Sequence, residues 1–372
     1  MSQANLFSPY RLGKMDLPNR VIMAPMTRCR SSQPGNIPNE MMAEYYGQRS
    51  SAGFIIAEAT QISPQGQGYS FTPGIHSQEQ VEGWKKVTRS VHEKGGRIFL
   101  QLWHVGRMSH AHFQNGGQPV APSAIPVPDD TTIWIANEDG NGGKSTPCTP
   151  PRELTLDEIH SIQEDYVRAV KNAKEAGFDG VELHGANGYL IDEFLRTSSN
   201  QRTDSYGGSP ENRARFLIEI VEKIINIFPA GCIGLRLSPH NQSRGMDDPT
   251  TPETALLALR KLDSLGLGYI HFAEVDWDAA PDVPLEFRVE ARKAFSRTII
   301  VAGKYDLEKA DWVLRENLAD LVAFGRPFIS NPDLPARLEN GWRLAELDPT
   351  RFYGGGKEGY VDYPVHRATE NS

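Results

Sequence analysis

The chain has 372 residues, 39% of them hydrophobic, enough for a substantial core and in keeping with one large α/β barrel carrying insertions. Lys and Arg total 39 against 47 Asp and Glu, a net charge of −8, so nothing electrostatic favours nucleic acid or an anionic membrane as partner. Cys29, Cys148 and Cys232 are far apart with no CxxC spacing, which leaves metal sites unsupported and points to a reducing, cytoplasmic compartment. The first twenty residues lack the apolar run of a signal peptide, and no apolar stretch approaches the ~18 residues of a membrane span.

The segment from Asn19 to Pro25 reads as a short apolar strand. Asn39 to Ser50 is helical, with Met42, Tyr45 and Tyr46 at helical spacing. Phe54 to Thr60 is a second strand, too short and too β-branched for a helix. Ser77 opens a helix in a near capping-box pattern, and Gly95-Gly96 ends it. Arg97 to His104 is the third strand. From Val105 to Arg152 periodicity is lost in a stretch rich in Gly, Pro, Asn and Ser. A loop of that length in a compact domain marks a functional excursion, expected to cap one end of the barrel, with a small hairpin around Ile133-Trp134-Ile135. Alternation then resumes. A helix from Thr155 to Ala176 precedes strand four, Val181 to His184. A helix from Pro210 to Phe228 precedes strand five, Ile233 to Pro239. A helix from Thr251 to Gly266 precedes strand six, Tyr269 to Glu274. A helix from Leu285 to Phe295 precedes strand seven, Thr298 to Gly303. Leu307 to Glu316 is helical, Leu321 to Pro327 is strand eight, and a short helix follows at Asp333 to Asn340. Eight apolar strands alternating with helices are the pattern of a (β/α)8 TIM barrel. The expectation is one domain over residues 1–372, with a capping excursion at 105–152 and a C-terminal tail at 343–372.

In such a barrel the polar residues at the C-terminal strand ends form the site. Those after strand four are the most telling: His184, then a Gly-rich bend, Asn187 and Tyr189. Each alone reads as a core histidine, a turn asparagine or a half-buried tyrosine, whereas three hydrogen-bonding groups together at a strand end read as a site. Pro25-Met26-Thr27, Ala59, Gln101 with Trp103, Arg236, Ala302-Gly303 and Gly325-Arg326 occupy the other ends. The positions after strands seven and eight are where barrels commonly bind a phosphate. Read alone, Gly303 and Gly325 fit tight turns as well, and Arg326 fits a surface ion pair. Gln101 and Arg236 suit a flat heteroaromatic ring with carbonyl and nitrogen atoms. A phosphate at one end and a planar polar ring at the other describe a flavin mononucleotide. No Walker loop is present and no GxGxxG follows a strand.

On these residues the chain resembles the old yellow enzyme family of flavin-dependent ene-reductases along nearly its whole length. The resemblance runs through Asn19 to Arg28, Glu58-Ala59-Thr60, Gln101 to His104, Val181 to His184, Gly188-Tyr189-Leu190, Ser199 to Asp204, Phe324 to Pro327, Phe352 to Gly355 and Gly359 to Pro364. It implies non-covalent FMN, with Pro25, Met26, Thr27, Ala59, Gln101 and Arg236 around the ring and Ala302, Gly303, Gly325 and Arg326 at the phosphate. It also implies NADPH or NADH as reductant. His184 and Asn187 would hold the oxygen of an activated alkene or a phenolic ligand, Tyr189 would supply a proton, and Trp103 and Tyr353 would frame the substrate. Some family members carry a second His where this chain has Asn187, and one branch has a Cys where it has Thr27. The Cys cluster and extra domains of the iron–sulfur dienoyl-CoA reductases are missing. A monomer or a homodimer is expected. Two other readings stay open at this level: a metal-free barrel isomerase or aldolase using His184 and Tyr189, and a flavin-binding protein without catalysis.

Overall fold

The computed structural model describes residues 5–137, 142–274 and 282–366. Eight parallel strands close into a barrel. In chain order they are Val21–Met23, Ile55–Gln61, Ile98–Trp103, Gly180–Gly185, Ile233–Leu237, Tyr269–Ala273, Thr298–Ala302 and Leu321–Phe324. Almost every strand residue is buried, because one face fills the barrel and the other meets the surrounding helices. The helices earn their boundaries locally. Ser77 with Gln80, and Thr155 with Glu158, form reciprocal capping boxes at the starts of Gln78–His92 and Leu156–Glu175.

Each expected barrel strand is present, with bounds that differ by one to three residues at one or both ends; strand four, expected over Val181 to His184, runs over Gly180–Gly185. The largest correction concerns the eighth strand, expected to run to Pro327. It stops at Phe324, and Arg326 opens a short helix, Arg326–Ser330. Pro327 lies in the first helical turn, where its missing N–H costs nothing and its fixed φ favours the helix. The run after Tyr189 is likewise a helix of its own, Leu190–Leu195. A further element was not expected: Tyr10–Leu12 and Met15–Leu17 form an antiparallel hairpin. Gly13 at its turn has φ 58° and lies so close to Ala230 that a Cβ would meet the Ala230 carbonyl oxygen at 2.2 Å. Tyr10 also hydrogen-bonds Thr298 at the start of strand seven (2.8 Å), so the hairpin covers the N-terminal end of the barrel.

The opposite end carries the excursion. Within 105–152 the structure has the hairpin Thr132–Ala136 with Gly143–Pro147, and a two-residue parallel pair, Val120–Ala121 with Arg152–Glu153. The tip, 138–141, lies outside the described residues. Val105, Met108, Val127, Ile133 and Ile135 pack with Ala59, Trp103 and Tyr189 in a separate apolar cluster over the strand ends, so the excursion does cap the barrel mouth. The tail folds back to the same end. Arg28 donates to the carbonyls of Phe352 (2.8 Å) and Gly359 (2.9 Å), and the rings of Tyr45 and Tyr360 stack at 4.1 Å. The last tail residues, 367–372, lie outside the described residues.

Candidate active site

A cleft of about 350 Å³ opens at the C-terminal ends of the strands. Every residue singled out from the sequence lines it. Pro25, Met26, Thr27, Ala59, Gln101 and Arg236 come from strands one, two, three and five. Ala302, Gly303, Gly325 and Arg326 come from strands seven and eight. His184, Asn187, Tyr189, Trp103 and Tyr353 complete the wall.

Barrel register explains the convergence. Glu182 pairs with Gln101 across strands four and three, and His184 pairs with Arg236 across strands four and five. The turn after His184 is held from beneath. Asn187 has φ 61° and Gly188 φ 78°, a conformation asparagine and glycine tolerate best. The Asn187 N–H donates to Ser238 Oγ (2.8 Å), and the Gly188 N–H to Asp192 Oδ2 (2.9 Å). Asp192 is fixed by Arg196, both almost wholly buried, with Nε to Oδ1 at 2.8 Å. Arg196 also donates to the carbonyls of Ser238, Asn241 and Met246.

Four rings meet on this turn. His184 and Tyr189 lie edge to face with centroids 4.9 Å apart, and Trp103 packs edge to face on Tyr189 at 4.8 Å. Tyr69 stacks on Trp103 at 5.8 Å, with its hydroxyl 3.5 Å from that of Tyr189. Burial, and then the nearby Tyr189, push the Tyr69 phenol well above its ordinary range. Burial pushes His184 well below its usual value, helped by Arg236, Arg244 and His271. His184 is therefore a neutral imidazole with one N–H to donate. Its Nδ1 and the Oδ1 of Asn187 are buried without a protein hydrogen-bond partner, and buried polar atoms are ordinarily partnered.

Sequence reasoning missed several lining residues: Arg244, Lys304, Tyr305 and Phe352. Arg244 donates to the Asn187 carbonyl (2.9 Å), and its guanidinium lies 5.7 Å from the Tyr189 ring centre. It sits at φ 58° in a 3-10 turn within a loop, where no periodicity announces it. Arg28, Arg236, Arg244, Lys304 and Arg326 line the cleft, and among the described residues no Asp or Glu does. That is a concentration of positive charge in a chain whose net charge is −8.

The NADH:flavin oxidoreductase / NADH oxidase family matches residues 5–345. The chain belongs to this family. It is 42% identical to 12-oxophytodienoate reductase 1 of Oryza sativa subsp. japonica, over 96% of this chain and 92% of that protein. It is 39% identical to 12-oxophytodienoate reductase 2 of Arabidopsis thaliana, over 98% and 96%. Among solved structures, morphinone reductase superposes with a TM-score of 0.94 at 48% identity, covering 98% of this chain and 97% of that one. It has also been solved in complex with tetrahydroNAD. The old yellow enzyme homologue from Zymomonas mobilis gives 0.90 at 41%, covering 97% and 100%. The chain is thus an old yellow enzyme-type oxidoreductase, with FMN as cofactor and a reduced nicotinamide as electron source.

The cleft suits that cofactor on its own evidence. Gly303 has φ 146°, a backbone shape closed to other residues, next to Lys304. Gly325 directly precedes the Arg326 helix. Basic side chains and the N–H groups of that turn suit a phosphate. Gln101 and Arg236, at the buried end, suit a polar ring. Among the described residues no cluster of His, Cys, Asp and Glu could hold a metal, and no helix is long and apolar enough to cross a membrane.

Proposed function

We propose that this cleft is the active site of an FMN-dependent ene-reductase, in which a reduced nicotinamide and an activated alkene use the same open face in turn. The observation that carries the reading is the junction, in one cavity, of the basic Gly303–Lys304 and Gly325–Arg326 end with the His184, Asn187 and Tyr189 donor set. The chemistry supplied by bound FMN is hydride storage, from nicotinamide to the β-carbon of the alkene. The chain does the rest. Pro25, Met26, Thr27, Ala59, Gln101 and Arg236 orient the ring, while Ala302, Gly303, Gly325 and Arg326 hold the phosphate. Neutral His184 and Asn187 donate to the carbonyl or nitro oxygen of the substrate. Those bonds strengthen as negative charge builds on that oxygen, so they lower the barrier beyond what they add to binding. The Tyr189 hydroxyl gives its proton to the α-carbon. Tyr69 stays protonated and lies within reach of the Tyr189 oxygen, where it steadies the phenolate left behind. Trp103 and Tyr353 bound the space for the substrate, and phenols are the expected non-reacting ligands. The whole chain serves one barrel site in the cytoplasm, as a monomer or homodimer.

Anaerobic mixing tests this. Purified protein should carry flavin absorption, bleach with NADPH or NADH, and regain colour with cyclohexenone. A protein that takes up no FMN would refute the reading. A protein that bleaches but is not reoxidised by any activated alkene would be a flavin reductase without the proposed second half-reaction.

A further inference from the structure

Beneath the cleft, on the barrel axis, lies a carboxylate that the mechanism above does not use. Glu182 is fully buried in strand four, one inward position before His184. Its Oε1 accepts from Gln101 Nε2 at 2.8 Å and its Oε2 pairs with His271 Nδ1 at 2.9 Å. All three side chains are at most 1% exposed. Register places them together: Glu182 faces Gln101 across strands three and four, while Arg236 aligns with His184 on one side and His271 on the other. Burial first, and then Arg236, keeps His271 below its ordinary value and so neutral, against the pull of Glu182.

The two contacts fix hydrogen positions that heavy-atom coordinates leave open. Each Glu182 oxygen is paired with a nitrogen, Gln101 Nε2 on one side and His271 Nδ1 on the other, and a carboxylate oxygen accepts from an N–H. Gln101 must therefore turn its NH2 to Glu182, which directs its carbonyl oxygen elsewhere. Of the pair, only Gln101 lines the cleft. Neutral His271 must carry its proton on Nδ1 for the same reason. Both Glu182 oxygens are thereby used, and the Gln101 amide is locked in one of its two orientations.

We infer that Glu182 is a positioning residue for the cofactor. It acts through Gln101, whose locked amide offers the cleft one acceptor oxygen and one remaining N–H. That pair complements an imide edge, an N–H flanked by carbonyl oxygens, such as the pyrimidine ring of a flavin carries. The inference rests on FMN occupying this cleft.

Parent protein, Glu182→Gln, Gln101→Ala and the double variant are stripped of flavin and titrated with FMN by fluorescence. Midpoint potentials of the reloaded proteins are measured with redox dyes, and folding of each apoprotein is checked by circular dichroism. Glu182→Gln can donate as well as accept, so the lock is lost. The expected Kd is weaker by about tenfold, the worth of one hydrogen bond to the ring. The midpoint potential should also move, because the Gln101 amide no longer meets the ring edge in one fixed orientation. Added to Gln101→Ala, the second substitution should weaken binding by less than about threefold, because the path through Gln101 is already gone. Parent-like FMN affinity in Glu182→Gln, or full additivity in the double variant, would overturn the inference. If Glu182→Gln fails to fold, Glu182→Asp carries the test. It keeps the carboxyl group and loses the reach, so affinity should fall. Parent-like affinity there would equally overturn it. A parent that takes up no FMN would instead sink the functional reading, and this inference with it.

Discussion

Replacing Arg196 with Met tests how the site turn is held. The guanidinium is 1% exposed and its partner Asp192 2%. Removing it leaves the Asp192 carboxylate buried with the Gly188 N–H (2.9 Å) and Ser238 Oγ (3.5 Å) as its other partners. It also strands the carbonyls of Ser238, Asn241 and Met246. Breaking a buried pair by deleting one partner costs ~3–5 kcal/mol. Unfolding entropy of roughly 2 cal/mol/K per residue gives a chain of 372 residues about 0.8 kcal/mol/K, so the melting temperature should drop by ~4–6 °C. Calorimetry on the FMN-loaded protein measures it. KM for the alkene should rise as well, since Asn187 and Gly188 lose their footing. The double variant Arg196→Met/Asp192→Leu leaves no unpaired carboxylate at this turn and should melt above Arg196→Met alone. A single variant within about 1 °C of the parent, or a double variant no better than the single, would refute the idea that this pair pins the turn.

Three further expectations follow from the same geometry. Tyr189→Phe keeps the ring that packs on Trp103 and His184 and removes the proton, so stopped-flow should show unchanged flavin reduction and enone reduction slowed by up to ~10²–10⁴. Equal losses in both half-reactions would make Tyr189 structural. His184→Ala and Asn187→Ala should each weaken binding of p-hydroxybenzaldehyde by roughly 1.5–3 kcal/mol, the worth of a hydrogen bond to a charged group, with FMN occupancy intact; unchanged titrations would place the oxygen site elsewhere. Burial raises Glu58 to about 7, although the Arg28 N–H and the Tyr46 hydroxyl oppose the shift. Because the folded state holds this proton more tightly, Glu58 contributes stability that is full below its ordinary pKa near 4.5 and is lost as pH rises toward 7. Urea unfolding of Glu58→Gln should lack that part of the decline, and identical pH slopes in variant and parent would contradict it.

The barrel was legible because its strands carry apolar runs such as Phe54 to Ala57 and Ile299 to Ala302, and because polar residues at their C-terminal ends have few other reasons to be there. The caps at Ser77 and Thr155 were legible for the same local reason. What could not be read depends on contacts distant in sequence. Phe352 reaches the cleft because Arg28 and Arg30 bind the tail's carbonyls, more than 300 positions away. Tyr69 comes into place because its ring stacks on Trp103. Arg244 projects from an irregular loop. The Arg326 helix was hidden because it follows strand eight after a single residue and has no polar cap, the N-cap being Gly325. Glu182 looked like one more residue of an apolar strand until the register set it against Gln101 and His271.

The central claim is that one cleft delivers hydride to one carbon and a proton from Tyr189 to its neighbour. Isotope placement in the product tests it most directly. Reducing a substituted cyclohexenone with unlabelled nicotinamide in D2O should put deuterium at the α-carbon alone, and nicotinamide deuterated at its transferring position in ordinary water should put it at the β-carbon alone. Tyr189→Phe should slow the reaction without moving either label. Solvent deuterium at the β-carbon, or nicotinamide deuterium at the α-carbon, would contradict the account.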